Sequence, residues 1–399
     1  MLFGNFAKRA SLALAGLITI CTPAVAEDQE PIVFGASQAL TGVFAIAGEN
    51  MNSGLSQYVD WLNDNGGIKG RPVKYVFEDT GYKVDRSVAT FKKITASYEV
   101  PVYYADNTGF VKVMASELTK RGTTLMGGGS FASDLTKDGQ NPYAFVSGPT
   151  YAQQAKILIE FIASQAREKG GKAKLALVYS DTEFGRDPIQ AAKAHANKLG
   201  IELVDEIVTK PGSVDVSAEV LKLRRSRPDY VIFQGYVLSP VPEFMVQMRQ
   251  MKMKTEFMGT FWTSDRHTIE KMGDDADGLI GVMPYSYFDS GNQGPMFKAM
   301  VEQSKKADPD VDYRHIAHLN GWLNGMIYTK VIEDTLDAGK ELNAKNLRQA
   351  LDAIQDWDTG GIFGGPVSFR NQAIPAGRVY RANAKSGKFE PISDWIEVD

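Results

Sequence analysis

Short apolar runs alternate with amphipathic helical patterns along this chain. In the first half they predict, in turn, strands and helices at 32–35, 49–64, 73–78, 84–98, 100–104, 109–121 and 123–126. The helical period is clearest where Met51, Leu55 and Tyr58 share one face. Strands that alternate with helices in this way predict a parallel sheet covered by helices on both faces.

The same rhythm restarts after Pro149. Strands are predicted at 175–179, 202–208 and 230–233, and helices at 151–168, 185–199, 215–226, 241–252, 266–272, 295–307 and 314–338. Turn residues near the end separate two short apolar runs, 367–369 and 378–381, which predict a β-ribbon. The sequence therefore predicts an α/β fold with two doubly wound parallel-sheet lobes.

The first residues have the pattern of a secretory signal. Lys8 and Arg9 precede an apolar run at 12–20, and Ala24 and Ala26 provide small residues for cleavage. The run is well short of the ~18 residues that a membrane-spanning helix needs. We therefore predict a signal peptide at 1–26, cleavage after Ala26, and a periplasmic mature protein.

Composition narrows the choice of function. The chain of 399 residues has a formal charge of −4, and the predicted mature chain, which lacks Lys8 and Arg9, is two units more negative. No basic tract interleaved with aromatic residues occurs, so nucleic acid is excluded as a partner. No other apolar stretch approaches membrane length, so we expect no stable membrane insertion. The single cysteine, Cys21, leaves with the signal, so the mature core must be stable without disulfides.

The motifs give little support for catalysis. No dinucleotide fingerprint opens a helix after the first strand, so no cofactor is predicted. His315 and His318 are one helical turn apart, but no third ligand is indicated, so no metal is predicted. The segment 128–132 is similar to a nucleophile elbow around Ser130 but lacks its final glycine. We predict that the protein is not an enzyme, and a secreted hydrolase that uses Ser130 is the rival interpretation.

Loops that follow the predicted strands carry glycines and hydroxyl side chains. They lie at 41–42, 106–109, 127–130 and 180–185. Ligands of doubly wound sheets bind at the carboxyl ends of the strands, where such loops leave backbone N–H groups free for an anion. Several of these loops together predict a binding cleft.

Segments throughout the chain resemble the periplasmic leucine/isoleucine/valine-binding proteins, which are type I solute-binding proteins of ABC importers. The likeness is carried by residues 34–42, 65–70, 78–79, 179–185, 235–236 and 273–278. The resemblance implies two lobes joined by three hinge crossings, near 147–151, 281–287 and 358–366. Lobe 1 would contain 27–148 plus 284–358, and lobe 2 would contain 149–283 plus 359–399.

The resemblance also implies partners. A membrane permease and its ATPase would receive a small carboxylate ligand that the lobes trap on closure. A sensor, in which the same lobes report to a membrane kinase or chemoreceptor, is an alternative role.

The resemblance transfers several ligand-binding residues to this chain. It places the carboxylate site at Thr108, with Gly129 and Ser130 completing that wall. It places aromatic residues that pack on the ligand at Phe184 and Tyr236 in the second lobe.

Three positions depart from the family pattern. Phe261 stands where amino-acid binders have an acidic residue for the α-ammonium, Phe131 replaces a threonine, and Ala47 replaces a tyrosine. A buried ammonium without a carboxylate partner is strongly destabilised. We therefore expect a small carboxylate with an apolar body, preferably an aromatic acid. In the alternative, Asp265 or Asp106 supplies the missing charge and the ligand is a branched-chain or other hydrophobic amino acid. Further aromatic surface is expected from Phe44, Tyr151, Trp262 and Tyr287.

Overall fold

The structure is a computed structural model that describes residues 30–137, 139–168 and 170–398. The predicted signal peptide and its cleavage site after Ala26 lie outside these residues. In the part of the chain that is described, no helix combines the length and apolar character needed to cross a bilayer.

The first sheet is built from the N-terminal alternation of strands and helices. Its elements are β1 (Ile32–Gln38), α1 (Ala45–Asp64), β2 (Val73–Asp79), α2 (Val84–Ser97), β3 (Val102–Ala105), α3 (Thr108–Arg121) and β4 (Leu125–Gly127). The four strands are parallel in the order β2-β1-β3-β4. Every residue of β1 is buried, which explains why it reads as a continuous apolar run rather than an alternating one.

The second alternation follows from residue 151. Its elements are α4 (Tyr151–Glu168), β5 (Lys174–Ser180), α5 (Glu183–Arg186), α6 (Ile189–Lys198), β6 (Glu202–Thr209), α7 (Ser217–Ser226), β7 (Tyr230–Gln234), α8 (Val241–Gln250), β8 (Glu256–Gly259), α9 (Arg266–Met272) and β9 (Ile280–Met283). All five strands pair in parallel.

The C-terminal part divides between the two sheets. Its elements are α10 (Pro295–Ala307), α11 (Ile316–Asp337), α12 (Ala344–Asp352), β10 (Ala376–Asn383) and β11 (Lys388–Glu397). Helices α10 and α11 pack on α1, whereas β10 adds antiparallel to β9 and gives a sheet ordered β11-β10-β9-β8-β7-β5-β6. We call the first sheet with its helices the first lobe, and the second sheet with its helices the second lobe.

Glycines allow α1 and α11 to approach at backbone contact. A Cβ on Gly54 would lie 2.0 Å from the His318 carbonyl oxygen, and one on Gly321 would lie 2.1 Å from the Met51 carbonyl oxygen. Larger residues would push the helices apart, so the buried position of α11 depends on these glycines.

The three connections between the lobes are hydrogen-bonded to one another. The Ile374 N–H donates to the Gly148 carbonyl at 3.2 Å, and the Ser286 N–H donates to the Ile362 carbonyl at 2.8 Å. The Tyr285 hydroxyl donates to the Ser147 carbonyl at 2.9 Å. These bonds join the three connections into one strip between the lobes.

The predicted fold class is confirmed, with two α/β lobes on parallel sheets. The residue boundaries of the lobes remain a prediction. The predicted helix 185–199 is wrong as a single element, because Pro188 separates α5 from α6. The predicted strand at 367–369 is also wrong, since only Val367 pairs there, in an isolated bridge with Trp357.

Four elements were not predicted: β8, β9, α12 and β11. The strands β8 and β9 have four residues each, too few to show a period, and pairing with buried neighbours on both sides supplies their stability.

Candidate functional site

A small cavity lies between the lobes at the carboxyl ends of the strands. The first lobe contributes Phe44, Ala47, Met51, Tyr82, Asp106 and Gly129 to its wall, and the second contributes Tyr151, Phe184, Val237 and Trp262. Its volume is about 20 Å³, roughly the space that one water molecule fills. The lobes are therefore closed on each other, and a ligand can enter only when they separate.

The loop between β3 and α3 is held firmly on the first-lobe side. Asn107 caps α3, and its side-chain oxygen accepts the Phe110 N–H at 3.0 Å. Its amide nitrogen donates to the Tyr82 carbonyl at 2.6 Å. These two bonds fix Thr108, the first residue of the helix, beside the cavity.

Several neutral hydrogen-bonding groups converge on Thr108. Its hydroxyl lies 3.0 Å from the Ser130 hydroxyl. The Thr108 N–H and hydroxyl lie near the Tyr82 phenol, and the hydroxyl also lies near the Tyr151 phenol, where these groups favour the ionised form of each phenol although burial dominates. From the second lobe, the Trp262 Nε1–H donates to the Tyr151 hydroxyl at 3.2 Å. The two lobes therefore meet at one cluster of donors, which we call the Thr108 cluster.

The Thr108 cluster carries no formal charge. Burial raises the pKa of Tyr82 and of Tyr151 far above the physiological range, so both phenols stay neutral donors. None of the described residues that line the cavity is a lysine or arginine. An anion held here would be bound by hydroxyl, indole and backbone N–H groups.

The structure brings most of the sequence-predicted site residues together. Ala47, Gly129 and Phe184 line the cavity, and Thr108 and Ser130 are bonded within the cluster beside it. A Cβ on Gly129 would lie 2.8 Å from the Met51 sulfur, so a larger residue would fill this wall.

Three predicted residues lie away from the cavity wall. Phe131 and Phe261 are fully buried and pack edge to face across the lobes, with ring centroids 5.2 Å apart. They form a second layer, and Trp262, the neighbour of Phe261, reaches the wall instead. The Tyr236 hydroxyl bonds Thr209 at 2.7 Å, within the second lobe.

The other aromatic residues expected at the site divide similarly. Phe44, Tyr151 and Trp262 line the cavity. Tyr287 does not, since its hydroxyl donates to the Ser264 carbonyl at 2.8 Å and its ring stacks on Phe389.

The sequence reasoning missed three residues of the wall: Met51, Tyr82 and Val237. Tyr82 and Val237 follow the carboxyl ends of β2 and β7, so their positions after predicted strands were an available signal. Met51 was assigned to the core face of α1, and only the packing of α1 beside the cleft places its side chain at the wall.

Two buried aspartates lie between the lobes. Asp106 lines the cavity, and its Oδ2 accepts the Ala39 N–H at 2.6 Å while its Oδ1 has no hydrogen-bond partner. Burial raises its pKa to about 7. Asp265 lies away from the cavity wall, where its Oδ2 accepts from the Tyr313 hydroxyl and the Ile316 N–H, both at 2.8 Å.

Asp265 belongs to a cluster with His267 and His315. Ligand atoms of the three residues lie within 4.8 Å of one another, the one such grouping found in residues 30–137, 139–168 and 170–398. These atoms are occupied, because His267 bonds Asp265 at 2.7 Å and the Nδ1 of His315 accepts the Ala317 N–H. A neutral His315 therefore carries its proton on Nε2, the nitrogen that faces Asp265, which does not suit a metal.

Burial outweighs Asp265 at His315 and lowers the pKa of this imidazole, which keeps the ring neutral. His318 is not part of the cluster, because its Nε2 lies 3.2 Å from the Ser304 hydroxyl and burial lowers its pKa to about 3.

An ion-pair network also joins the two lobes. Lys112 of α3 lies 3.1 Å from Asp187 and 3.2 Å from Glu183 in the second lobe. Asp187 is almost fully buried and also accepts the Ser133 N–H at 3.0 Å. Ion pairs here, like the hydrogen bonds of the Thr108 cluster, therefore join the two lobes.

Comparison with known proteins agrees with this arrangement. The profile of the periplasmic binding protein family matches residues 31–388. A Leu/Ile/Val-binding protein homolog from Brucella melitensis is 28% identical over 58% of this chain and 61% of its own length. The Leu/Ile/Val-binding protein of Escherichia coli K12 is 24% identical over 90% of this chain and 95% of its own length.

A solved structure shares the fold. The branched-chain amino acid ABC transporter protein from Thermus thermophilus, crystallised with bound valine, superposes with a TM-score of 0.84. It is 22% identical and covers 93% of this chain, which covers 97% of that one.

Proposed function

Because this chain belongs to the periplasmic binding protein family, we propose that it is the receptor of an ABC importer and captures a small hydrophobic carboxylate, preferably an aromatic acid. Members of this family are periplasmic solute receptors rather than enzymes. The ligand would be held between the lobes and delivered to a membrane permease and its ATPase. A sensor role would use the same closed lobes with a different membrane partner.

The convergence of neutral donors at Thr108 carries the proposal. The Tyr82 and Tyr151 phenols lie beside the Thr108 hydroxyl in the closed protein. A ligand carboxylate that displaced one phenol would meet the Thr108 N–H and hydroxyl together with the Ser130 hydroxyl. Hydrogen bonds to a charged group contribute about 1.5–3 kcal/mol each.

The wall around this cluster favours a flat apolar body. Phe44, Tyr151 and Phe184 form a continuous aromatic surface, with centroids 6.2 Å apart for Phe44 and Phe184 and 4.9 Å apart for Tyr151 and Phe184. Aromatic pairs contribute about 0.5–1.5 kcal/mol beyond the burial of their area. Phe261, where amino-acid binders have an acidic residue, is packed against Phe131 and offers no charge.

One observation favours the second candidate, a branched-chain or other hydrophobic amino acid. Asp106 places a carboxyl group in the cavity wall, where it is available to an ammonium group. The two relatives described above are Leu/Ile/Val-binding proteins by name. Asp265, the other candidate for this role, is bonded to the start of α11 and does not reach the wall.

A hydrolase that uses Ser130 has no support in the site. The Ser130 hydroxyl bonds Thr108. Of the histidines, His195 bonds Glu160, His267 bonds Asp265, and His318 bonds Ser304. No base is positioned on Ser130 among the described residues, so this hydroxyl is better suited to ligand binding.

Calorimetric titration of the purified, ligand-stripped protein tests the proposal. We expect saturable binding of benzoate or a hydroxycinnamate, weaker binding of leucine, and no binding of benzyl alcohol, which lacks the carboxylate. Tight leucine binding without any response to aryl acids would select the amino-acid receptor instead.

A further inference from the structure

The Asp106 side chain has one oxygen that the folded protein leaves without a partner. The residue follows β3 directly and is 5% exposed. Its Oδ2 accepts the Ala39 N–H at 2.6 Å, which anchors the carboxyl group. Its Oδ1 has no hydrogen-bond partner, although the residue forms part of the cavity wall.

The neighbouring wall explains why this oxygen is unsatisfied. On the same first-lobe wall, the side chains of Ala47, Met51 and Gly129 cannot donate a hydrogen bond, and the Tyr82 phenol, which can, makes none to this oxygen. A buried acceptor without a donor is destabilising, and a charged one more so, which favours a ligand that supplies the donor. Burial also raises the pKa of this carboxyl to about 7, as expected of an acid without sufficient donors.

Asp106 also lies close to the proposed carboxylate site. Asp106 and Tyr82 share the cavity wall, and the charge of Asp106 adds to burial in raising the pKa of the Tyr82 phenol, which lies beside Thr108. A ligand that places its carboxylate at Thr108 therefore brings neighbouring groups to Asp106. The free oxygen is an acceptor, so it discriminates between ligands with and without a donor at that point.

We propose that Asp106 determines specificity by accepting a hydrogen bond from a donor on the ligand, a hydroxyl or ammonium group that the ligand carries beside its carboxylate. The inference rests on the proposed function, because it uses the same cavity. It narrows the ligand class from hydrophobic acids in general to hydroxy or amino acids with an apolar body.

Two matched ligand series separate the possibilities by calorimetry at pH 7. The first series is 3-phenylpropanoate, 3-phenyllactate and phenylalanine, which share one skeleton and carry hydrogen, hydroxyl or ammonium beside the carboxylate. The second is 4-methylpentanoate, 2-hydroxy-4-methylpentanoate and leucine. We expect a donor-bearing member to bind the wild-type protein at least about tenfold more tightly than its parent acid, the range seen when a buried polar group gains its partner. Whether the hydroxy or the amino acid shows the gain identifies the donor.

The Asp106→Asn variant tests whether Asp106 is responsible. Its amide oxygen is needed for the Ala39 N–H, so its NH₂ group would stand at the free position and oppose a ligand donor. We expect the ratio between the affinity of the donor-bearing acid and that of its parent acid to fall to about one in this variant. Asp181→Asn, the same change at an exposed rim carboxylate paired with Arg186, should leave the gain intact.

The outcomes distinguish the inference from the proposal beneath it. An equal gain in wild-type and Asp106→Asn protein, or no gain in wild type although the parent acids bind, overturns the role of Asp106 alone. Failure of both series, and of benzoate and the hydroxycinnamates, to bind overturns the proposed function. If the variant does not fold, the number of protons released when a ligand binds to the wild-type protein provides the test instead. Calorimetry in two buffers of different ionisation heat measures it. A ligand with an ammonium or hydroxyl group at Asp106 should release more protons than its parent acid, and equal release contradicts the inference.

Discussion

Asp106 and Asp265 are the same side chain in two opposite environments between the lobes. Asp265 accepts hydrogen bonds on both oxygens, from His267, Tyr313 and Ile316. Although burial opposes it, the positive charge that His315 gains at low pH and the hydrogen bonds from His267 and Ile316 lower the pKa of Asp265 to about 2. Asp106 has one bond, and burial raises its pKa to about 7.

The difference indicates that Asp265 stabilises the structure and that Asp106 is available to a ligand. Asp265 joins the second lobe to the start of α11, and both of its oxygens already accept hydrogen bonds. Asp106 is anchored by one oxygen and keeps the other at the cavity. Burial alone would not separate the two roles, because both residues are at most 5% exposed. The separation comes from the number of donors around each.

The largest expected effect is the loss of stability in the Asp265→Ala variant. Removal of this carboxylate leaves the Tyr313 hydroxyl and the Ile316 N–H without an acceptor in a buried position. Loss of one partner of a buried polar network costs about 3–5 kcal/mol. Urea unfolding should show a loss of that size in the free energy of unfolding. Asp274→Ala, at an exposed carboxylate of the same lobe, should change it little, and an equal loss in both would contradict a structural role for Asp265.

Thr108→Ala should act on binding rather than on folding. The change removes a hydroxyl from the Thr108 cluster, and affinity for the acid should fall by about 1.5–3 kcal/mol. Calorimetry on the purified variant measures it. Thr119→Ala removes a hydroxyl from the same helix that bonds only the Ala115 carbonyl, so it should bind like wild type. Unchanged affinity in Thr108→Ala would mean that the carboxylate binds elsewhere.

The smallest expected effect is a difference between wild type and Asp106→Asn in how the free energy of unfolding depends on pH. Its pKa of about 7 exceeds the ordinary 3.8, so the folded state holds the proton more tightly and stability falls as pH rises between these values. Between pH 6.0 and 7.5, the free energy of unfolding of wild type should fall by about 1 kcal/mol relative to that of Asp106→Asn.

Asp265 should make the free energy of unfolding rise with pH, at lower pH values, because its pKa of about 2 lies below the ordinary value. Its contribution is present above about pH 4 and is lost as the pH falls toward 2. Urea unfolding of wild type and Asp106→Asn in ligand-free buffer provides the first comparison. Parallel pH profiles for these two proteins would show that Asp106 is already charged throughout.

Sequence reasoning reached part of the site for a physical reason. Thr108, Gly129 and Phe184 follow strands directly, and parallel strands bring their carboxyl ends to one edge. Phe131 and Phe261 also follow strands, yet the lobes press them into a second layer. Phe261 and Trp262 are adjacent in the chain, yet only Trp262 reaches the cavity wall. Sequence position alone does not resolve that difference.

The sequence by itself determined the alternation of strands and helices, and with it two parallel-sheet lobes, because apolar periodicity is a local property of the chain. It also indicated loops rich in hydroxyl and glycine residues at the strand ends. Only the tertiary structure decided which buried aspartate is satisfied and which has a free oxygen. His267, two positions along the chain, donates to one oxygen of Asp265, but the donors to the other oxygen, Tyr313 and Ile316, lie about 50 positions away in the other lobe. Only the packing of the two lobes brings these partners together.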